Sequence, residues 1–113
     1  MNKYEFITSK INLKKGVLLL NNRYALMYEN EKKQIKKQVK DLCEKHNPKS
    51  VLEVGFGLGY TATQFQECGI DRHVIIEAHP HIYKTALNWK RLNYNNNNIT
   101  IENKFIQEFK YKD

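Results

Sequence analysis

Residues 51–60 read VLEVGFGLGY, and this stretch decides the fold of the chain. The stretch 51–54, apolar except for Glu53, predicts a short buried strand, and the three alternating glycines after it predict a tight turn into a helix. Such a turn presents backbone N–H groups to a nucleotide-like ligand at the edge of an open α/β sheet. A second apolar run, 74–76, ends in Glu77, and an acid at the tip of a second strand is typical of ribose recognition.

The sequence around this turn predicts one helix followed by alternating strands and helices. Apolar positions at helical spacing predict a helix over 31–46 that Asn47-Pro48 ends. The predicted elements after it are strands over 50–54, 73–77 and 99–102, helices over 60–67 and 80–93, and a short helical turn over 105–109. The Asn run 95–98 is predicted as a loop. This order indicates an α/β protein with a Rossmann-like parallel sheet that is incomplete at three strands.

The first thirty residues precede this pattern. Residues 1–15 have no convincing period, whereas 16–20 and 23–28 look like two short extended pieces around Asn21-Asn22. We therefore expect an N-terminal extended, hairpin-like segment over 1–30 and the first half of a Rossmann-like domain over 31–113.

One face of the predicted sheet lacks a cover. The first two strands are apolar at consecutive positions, which is typical of strands covered on both faces. Right-handed crossovers place both connecting helices, 60–67 and 80–93, on the same face. The opposite face and the edge of the first strand are then open, which favours a homo-oligomer or a partner chain.

Composition limits the classes of function. Lys+Arg number 19 and Asp+Glu number 12, a formal charge of +7, and six lysines lie on the first predicted helix at 32, 33, 36, 37, 40 and 45. A solvated lysine face is the simpler interpretation, and RNA or DNA binding is the alternative. No apolar run approaches the ~20 residues that span a bilayer, and the N-terminus lacks a signal peptide pattern. We therefore expect a cytoplasmic protein that does not enter a membrane.

Glu53 and the histidines carry further expectations. An ionised carboxylate in a buried strand needs partners, which a ligand ammonium or the N–H groups of the turn would supply. The histidines at 73, 79 and 81 match no zinc spacing with Cys68, so we predict satisfied or solvent-facing imidazoles and no metal site. Two cysteines are too few for a disulfide framework.

The sequence EVGFGLG at 53–59 resembles motif I of the class I S-adenosylmethionine-dependent methyltransferases. More narrowly, VLEVGFGLGYTATQFQECGIDRHVIIEAHPHIYKTALNW at 51–89 looks like the group of guanidinoacetate methyltransferase and the arginine δ-N-methyltransferases. Phe56 and the run IIEAHP at 75–80 go beyond the general methyltransferase pattern. The resemblance implies S-adenosylmethionine as cofactor and a small-molecule or peptidyl guanidino group as substrate.

The resemblance also implies roles for individual residues. The turn 55–59 would cradle the methionine part of the cofactor, and Glu77 would hold both ribose hydroxyls. Glu31 would pair with a guanidinium and is the catalytic candidate. Ala78 and His79 would lie near the adenine, with Lys104 and Phe105 at its far edge. The full set of residues implied in cofactor binding is Met27, Glu53, Gly55, Phe56, Gly57, Gly59, Tyr60, Thr61, Glu77, Ala78, His79, Lys104 and Phe105.

Two positions depart from the family pattern. Asn30 stands where a tryptophan would precede Glu31, and the sequence ends at Asp113, where the fourth strand of the family would begin. We therefore expect the N-terminal half of a methyltransferase, of a lineage that methylates guanidino nitrogen. The alternatives are a non-catalytic self-associating or partner-binding module derived from a methyltransferase, and a nucleic-acid methyltransferase or its subunit.

Overall fold

The structure, a computed structural model, describes residues 1–94 and 97–109. This part of the chain contains two three-stranded sheets. The elements in chain order are α1 (Lys3–Ile7), β1 (Ile11–Lys14), β2 (Val17–Leu20), β3 (Tyr24–Tyr28), α2 (Lys32–His46), β4 (Ser50–Val54), α3 (Tyr60–Glu67), β5 (Arg72–Ile76), α4 (Pro80–Asn93) and β6 (Ile99–Glu102). Short 3₁₀ turns lie at Glu29–Glu31 and Ile106–Glu108. Residues 95 and 96 of the predicted Asn loop and residues 110–113 lie outside the described residues.

Strands β4, β5 and β6 form a parallel sheet in that order. Glu53 pairs with Ile75, and Ile75 pairs in turn with Ile101, so these three residues share one face. Helices α3 and α4 are the two crossovers. The predicted α/β class with an incomplete Rossmann-like sheet is confirmed.

Both crossover helices cover the same face of the parallel sheet. Ile75 and Ile99 share one buried cluster with Ala62 of α3 and with Ile82 and Ala86 of α4. Helix α2 packs beside α3 through a second cluster, in which Val39, Phe65 and Ile70 are buried against Val51. The glycine turn between β4 and α3 is held from the helical side of the sheet as a result.

The opposite face of the sheet is open at β4. Leu52 is 43% exposed and Val54 is 59% exposed, whereas Val74 and Ile76 on the same face of the central strand are buried. Within the described residues, β4 pairs with β5 alone and is therefore an edge strand. The exposed apolar surface of this face is thus narrower than the sequence suggested, since it is confined to β4 while Val74 and Ile76 of β5 are buried.

The N-terminal residues form an antiparallel sheet in the order β1-β2-β3. Asn21 and Asn22, with φ of 54° and 56°, turn the predicted β2–β3 hairpin in the left-handed conformation that such tight turns require. Helix α1 and strand β1 were not predicted. Ile11, Leu18 and Leu20 are buried in the same cluster as Phe56 and Ile82, so this sheet packs against the glycine turn and α4.

The lysines of α2 all face solvent, in agreement with the amphipathic pattern. The helix ends where Asn47 adopts φ of 44°, which caps it before Pro48. No helix in the described ranges combines the length and the apolar character needed to cross a membrane.

Candidate functional site

The glycine turn after β4 has a backbone that other residues could not adopt without strain. Gly57 has φ of +58°, and a Cβ there would lie 2.9 Å from Met27 Sδ. Gly59 has φ of +82°, and a Cβ there would lie 2.6 Å from the Phe56 ring. The absence of these two side chains lets β3 and the Phe56 ring approach the turn closely. At Gly55 no atom lies within 4 Å of the Cβ position, so the turn faces open space there.

Glu77 joins this turn to the end of β5. Its Oε1 accepts from the Phe56 N–H at 2.8 Å, and its Oε2 accepts from the His79 N–H at 2.9 Å. Asn103 donates from Nδ2 to the Glu77 carbonyl oxygen at 2.9 Å and so fixes the same loop from β6. The predicted convergence of the turn and the acid at the carboxyl ends of two neighbouring strands is therefore present.

A cavity of about 360 Å³ opens between the turn, Glu77 and the N-terminal sheet. Its volume falls in the range of small-molecule sites. Eight of the residues predicted to bind the cofactor or the acceptor line it: Met27, Glu31, Glu53, Gly55, Phe56, Gly57, Thr61 and Glu77. Three further residues, which were not predicted, complete the lining: Phe6, Leu26 and Ile82.

Phe6 reaches the cavity because α1 folds over the loop after β5. Its ring meets the His79 ring edge-on at 5.3 Å and lies 5.9 Å from the Phe105 ring. The sequence holds one signal for this helix, since Asn2 is followed three positions later by Glu5. Asn2 Oδ1 indeed accepts from the Glu5 N–H at 2.8 Å and caps α1.

The remaining predicted residues do not line this cavity: Gly59, Tyr60, Ala78, His79, Lys104 and Phe105. Tyr60 lines a neighbouring hollow with Lys32, whose Nζ lies 5.7 Å from the ring centre. His79 is buried behind Glu77, where its Nε2 donates to the Ser9 carbonyl at 2.9 Å and its Nδ1 accepts from the His81 N–H. Burial lowers the pKa of His79. The assignment of these six residues to the cofactor stays a prediction.

Glu53 has a different partner from those expected. Its Oε1 lies 2.9 Å from Nε2 of the fully buried His73, on the neighbouring strand, rather than on an N–H of the turn. Gln66 of α3 contacts the other ring nitrogen, Nδ1, at 2.9 Å. Burial raises the pKa of Glu53, and the contact with His73 opposes that rise. Local sequence patterns do not predict this contact, because it depends on the register between β4 and β5.

The cavity is acidic although the protein is basic. Its lining includes the three carboxyl groups of Glu31, Glu53 and Glu77, and among the described residues no Lys or Arg lines it. Lys32 and Lys36 line the separate hollow beside Tyr60 instead. Among the described residues no group of three His, Cys, Asp or Glu side chains could hold a metal ion. An acid-lined cavity suits an organic cation.

The aromatic side chains behind the turn connect it to α4. Trp89 lies edge-on to Phe56, with 5.3 Å between ring centres, and its Nε1 donates to Thr63 Oγ1 at 3.0 Å. Trp89 also packs against Tyr94, with 5.1 Å between ring centres. These contacts hold Phe56 against the helices, and with it the N–H that donates to Glu77.

The sequence model of the guanidinoacetate N-methyltransferase family matches residues 19–102. The chain belongs to this family. The match runs from within β2 to the end of β6 and contains every residue of the cavity lining except Phe6. Membership of the guanidinoacetate N-methyltransferase family confirms the resemblance and gives the chain a methyltransferase lineage. Lys104 and Phe105 lie beyond the matched range.

Proposed function

We propose that this chain binds S-adenosylmethionine in the acid-lined cavity and serves the methylation of a guanidino nitrogen. The observation that carries the proposal is the convergence of Glu31, Glu53 and Glu77 on one cavity beside an open glycine turn. S-adenosylmethionine, when bound, supplies an activated methyl group on a cationic sulfonium. Both this cofactor and a guanidinium are organic cations, which acidic linings favour.

The residues present fit the cofactor. Both Glu77 oxygens are held by backbone N–H groups, and each still has a lone pair with which to accept from a ribose hydroxyl. The open position at Gly55 leaves the backbone of the turn accessible to the methionine part. Met27 occupies the other side of the turn, where its Sδ accepts from the Leu58 N–H at 3.3 Å.

Glu31 is the proposed acceptor-binding acid. It lines the cavity at the end of the 3₁₀ turn after β3, and its Oε1 accepts from the Tyr28 N–H at 3.2 Å. A carboxylate held in this way pairs with a guanidinium through charge-assisted hydrogen bonds. A guanidinium must also lose a proton, and with it the positive charge, before its nitrogen becomes a nucleophile. Glu31 would take up that proton.

Isothermal titration with S-adenosylhomocysteine tests cofactor binding separately from catalysis. We expect saturable heat with one site per chain, whereas no heat at high micromolar ligand would contradict the proposal. Transfer of a labelled methyl group to guanidinoacetate then tests the acceptor class. Binding without transfer would retain the cofactor site and reject the isolated chain as a catalyst.

A second candidate function is a partner-binding or self-associating module. The exposure of Leu52 and Val54 favours it, together with the edge of β4 that has no partner strand in residues 1–94 and 97–109, because apolar side chains and unpaired strand groups promote docking. Sedimentation velocity at micromolar concentration tests it. A species larger than one chain would support self-association, and a monomer at all concentrations would contradict it.

A further inference from the structure

A buried polar contact, between Glu53 and His73, adjoins the cavity. His73 is fully buried, and Glu53, 8% exposed, both contacts His73 and lines the cavity. In the described part of the chain, the Glu53 carboxylate makes its hydrogen bond through Oε1 alone, to His73. Its second oxygen is therefore free of the protein contacts that hold the first.

Gln66 determines which ring nitrogen of His73 carries the proton. The Gln66 amide Nε2 lies 2.9 Å from His73 Nδ1 and donates to it, so Nδ1 is the acceptor of the imidazole. A neutral imidazole then has its proton on Nε2, which points at Glu53 Oε1. Phe65 packs edge-on against the ring, with 6.0 Å between ring centres. Three residues from β4, β5 and α3 thus form one fixed chain of hydrogen bonds.

We propose that His73, fixed by Gln66, is a positioning residue that holds the Glu53 carboxylate in place for the ammonium group of the cofactor's methionine part. This inference rests on the proposed function, since it assumes that the cavity takes S-adenosylmethionine. A carboxylate held by one oxygen can direct the other to a cation with little loss of side-chain entropy. His73 would not touch the cofactor and would act only through Glu53.

The titratable groups around Glu53 define the expected pH dependence. His73 faces it from β5, and Glu31 and Glu77 share its cavity from the turn after β3 and the loop after β5. Burial raises the pKa of Glu53, and His73 lowers it, so removal of His73 raises it further. Loss of affinity for an ammonium ligand on acidification should then begin at a higher pH.

The experiment compares two ligands that differ in this ammonium group. S-adenosylhomocysteine has it, whereas 5′-methylthioadenosine lacks the ammonium and the carboxylate but keeps the adenosine. For His73→Leu we expect affinity for S-adenosylhomocysteine to fall roughly tenfold or more at neutral pH, since a hydrogen bond to a charged group is lost. Affinity for methylthioadenosine should change less than about twofold. His73→Gln, which keeps a donor near the Nε2 position, should restore most of the loss.

Controls separate this role from a structural one. His46→Leu removes an exposed histidine at the end of α2 and should change neither affinity. If His73→Leu does not fold, ¹⁵N NMR of the His73 ring in the wild-type protein takes the place of this variant. We expect the tautomer with the proton on Nε2. Its resonance should change when S-adenosylhomocysteine binds and should stay unchanged when methylthioadenosine binds. Equal losses for both ligands, equal changes in the ring resonance, or no change in either would overturn the positioning role. Failure of the wild-type chain to bind either ligand would instead overturn the proposed function, and the inference with it.

Discussion

The Phe56 N–H donates to Glu77 Oε1 at 2.8 Å, which ties the glycine turn after β4 to the acid after β5. The two residues are far apart in sequence, and only the parallel pairing of β4 with β5 brings their ends together. Glu77 thus has a structural role before any ligand is considered, because it satisfies two buried backbone donors.

Replacement of Glu77 should reduce both stability and ligand affinity. In Glu77→Gln an amide NH₂ faces one of the two N–H donors, so we expect a loss of about 1–3 kcal/mol in the free energy of unfolding. Affinity for S-adenosylhomocysteine should fall roughly tenfold or more. Urea unfolding and calorimetric titration measure the two effects.

Glu102→Gln is the matched control. Glu102 also ends a strand of the parallel sheet, but it is half-buried and lies 3.6 Å from Lys104. Its replacement should cost less than about 0.5 kcal/mol and leave affinity unchanged. An equal effect of the two substitutions would contradict the role given to Glu77.

The contact between Gly57 and Met27 should make Gly57→Ala more damaging than an ordinary glycine substitution. A left-handed backbone costs an alanine ~1–2 kcal/mol, and the clash with Met27 Sδ adds to it. Gly69→Ala is the control, since φ there is +77° and nothing lies within 4 Å of the Cβ position. Thermal unfolding of Gly57→Ala, Gly69→Ala, Met27→Ala and the double variant Gly57→Ala/Met27→Ala isolates the clash, because Met27→Ala alone also loses core packing and the contact with the Leu58 N–H. We expect the double variant to lose less stability than the two single losses added together, and strictly additive losses would contradict this account.

The burial of Glu53 predicts a pH-dependent effect of Glu53→Gln. Because the pKa of Glu53 is raised in the folded state, the folded protein holds that proton more tightly than the unfolded chain does. The contribution of Glu53 to stability is therefore present below its unfolded pKa and is lost as pH rises through its folded pKa. The Gln variant lacks this loss, so its stability relative to wild type should rise with pH. A tenfold difference in proton affinity between the folded and unfolded states corresponds to about 1.4 kcal/mol of this rise.

Urea unfolding of both proteins at about pH 4 and about pH 7.5 measures this difference. His73 Nε2 can donate to the Gln amide oxygen as well, so the comparison isolates the charge. A relative stability of the Gln variant that falls as pH rises would have the wrong sign and would contradict the burial argument.

Because side chains of β4 are exposed, we expect that one of them can be replaced with little change in stability. Val54→Glu should leave the unfolding temperature within a few degrees, because Val54 is 59% exposed. If β4 mediates self-association, the same change should move the sedimentation profile towards the monomer. Leu92→Glu, at a 70% exposed position on α4, should leave the profile unchanged. A profile that responds to both substitutions, or to Leu92→Glu alone, would place the interface elsewhere.

The second half of the fold could be predicted from local patterns. The bounds of α3 and α4 follow from Gly59, Gly69 and Pro80, each of which has a defined place at a helix end. Strand β5 ends at Ile76, one residue earlier than expected, so Glu77 lies in the loop and can turn towards Phe56.

The N-terminal wall of the cavity could not be predicted in the same way. Helix α1 has only five residues, which is too short for a helical period to emerge. Phe6 is placed by its contacts with His79 and Phe105, far away in sequence. The pairing of Glu53 with His73 likewise depends on strand register, which no local pattern fixes.

The single tryptophan of the chain gives the glycine turn a fluorescent reporter. Because the Trp89 indole rests against Phe56 and its N–H is engaged by Thr63, any rearrangement of the turn alters the surroundings of the fluorophore. Occupancy of the cavity can therefore be followed by intrinsic emission, without a label, on the unmodified protein.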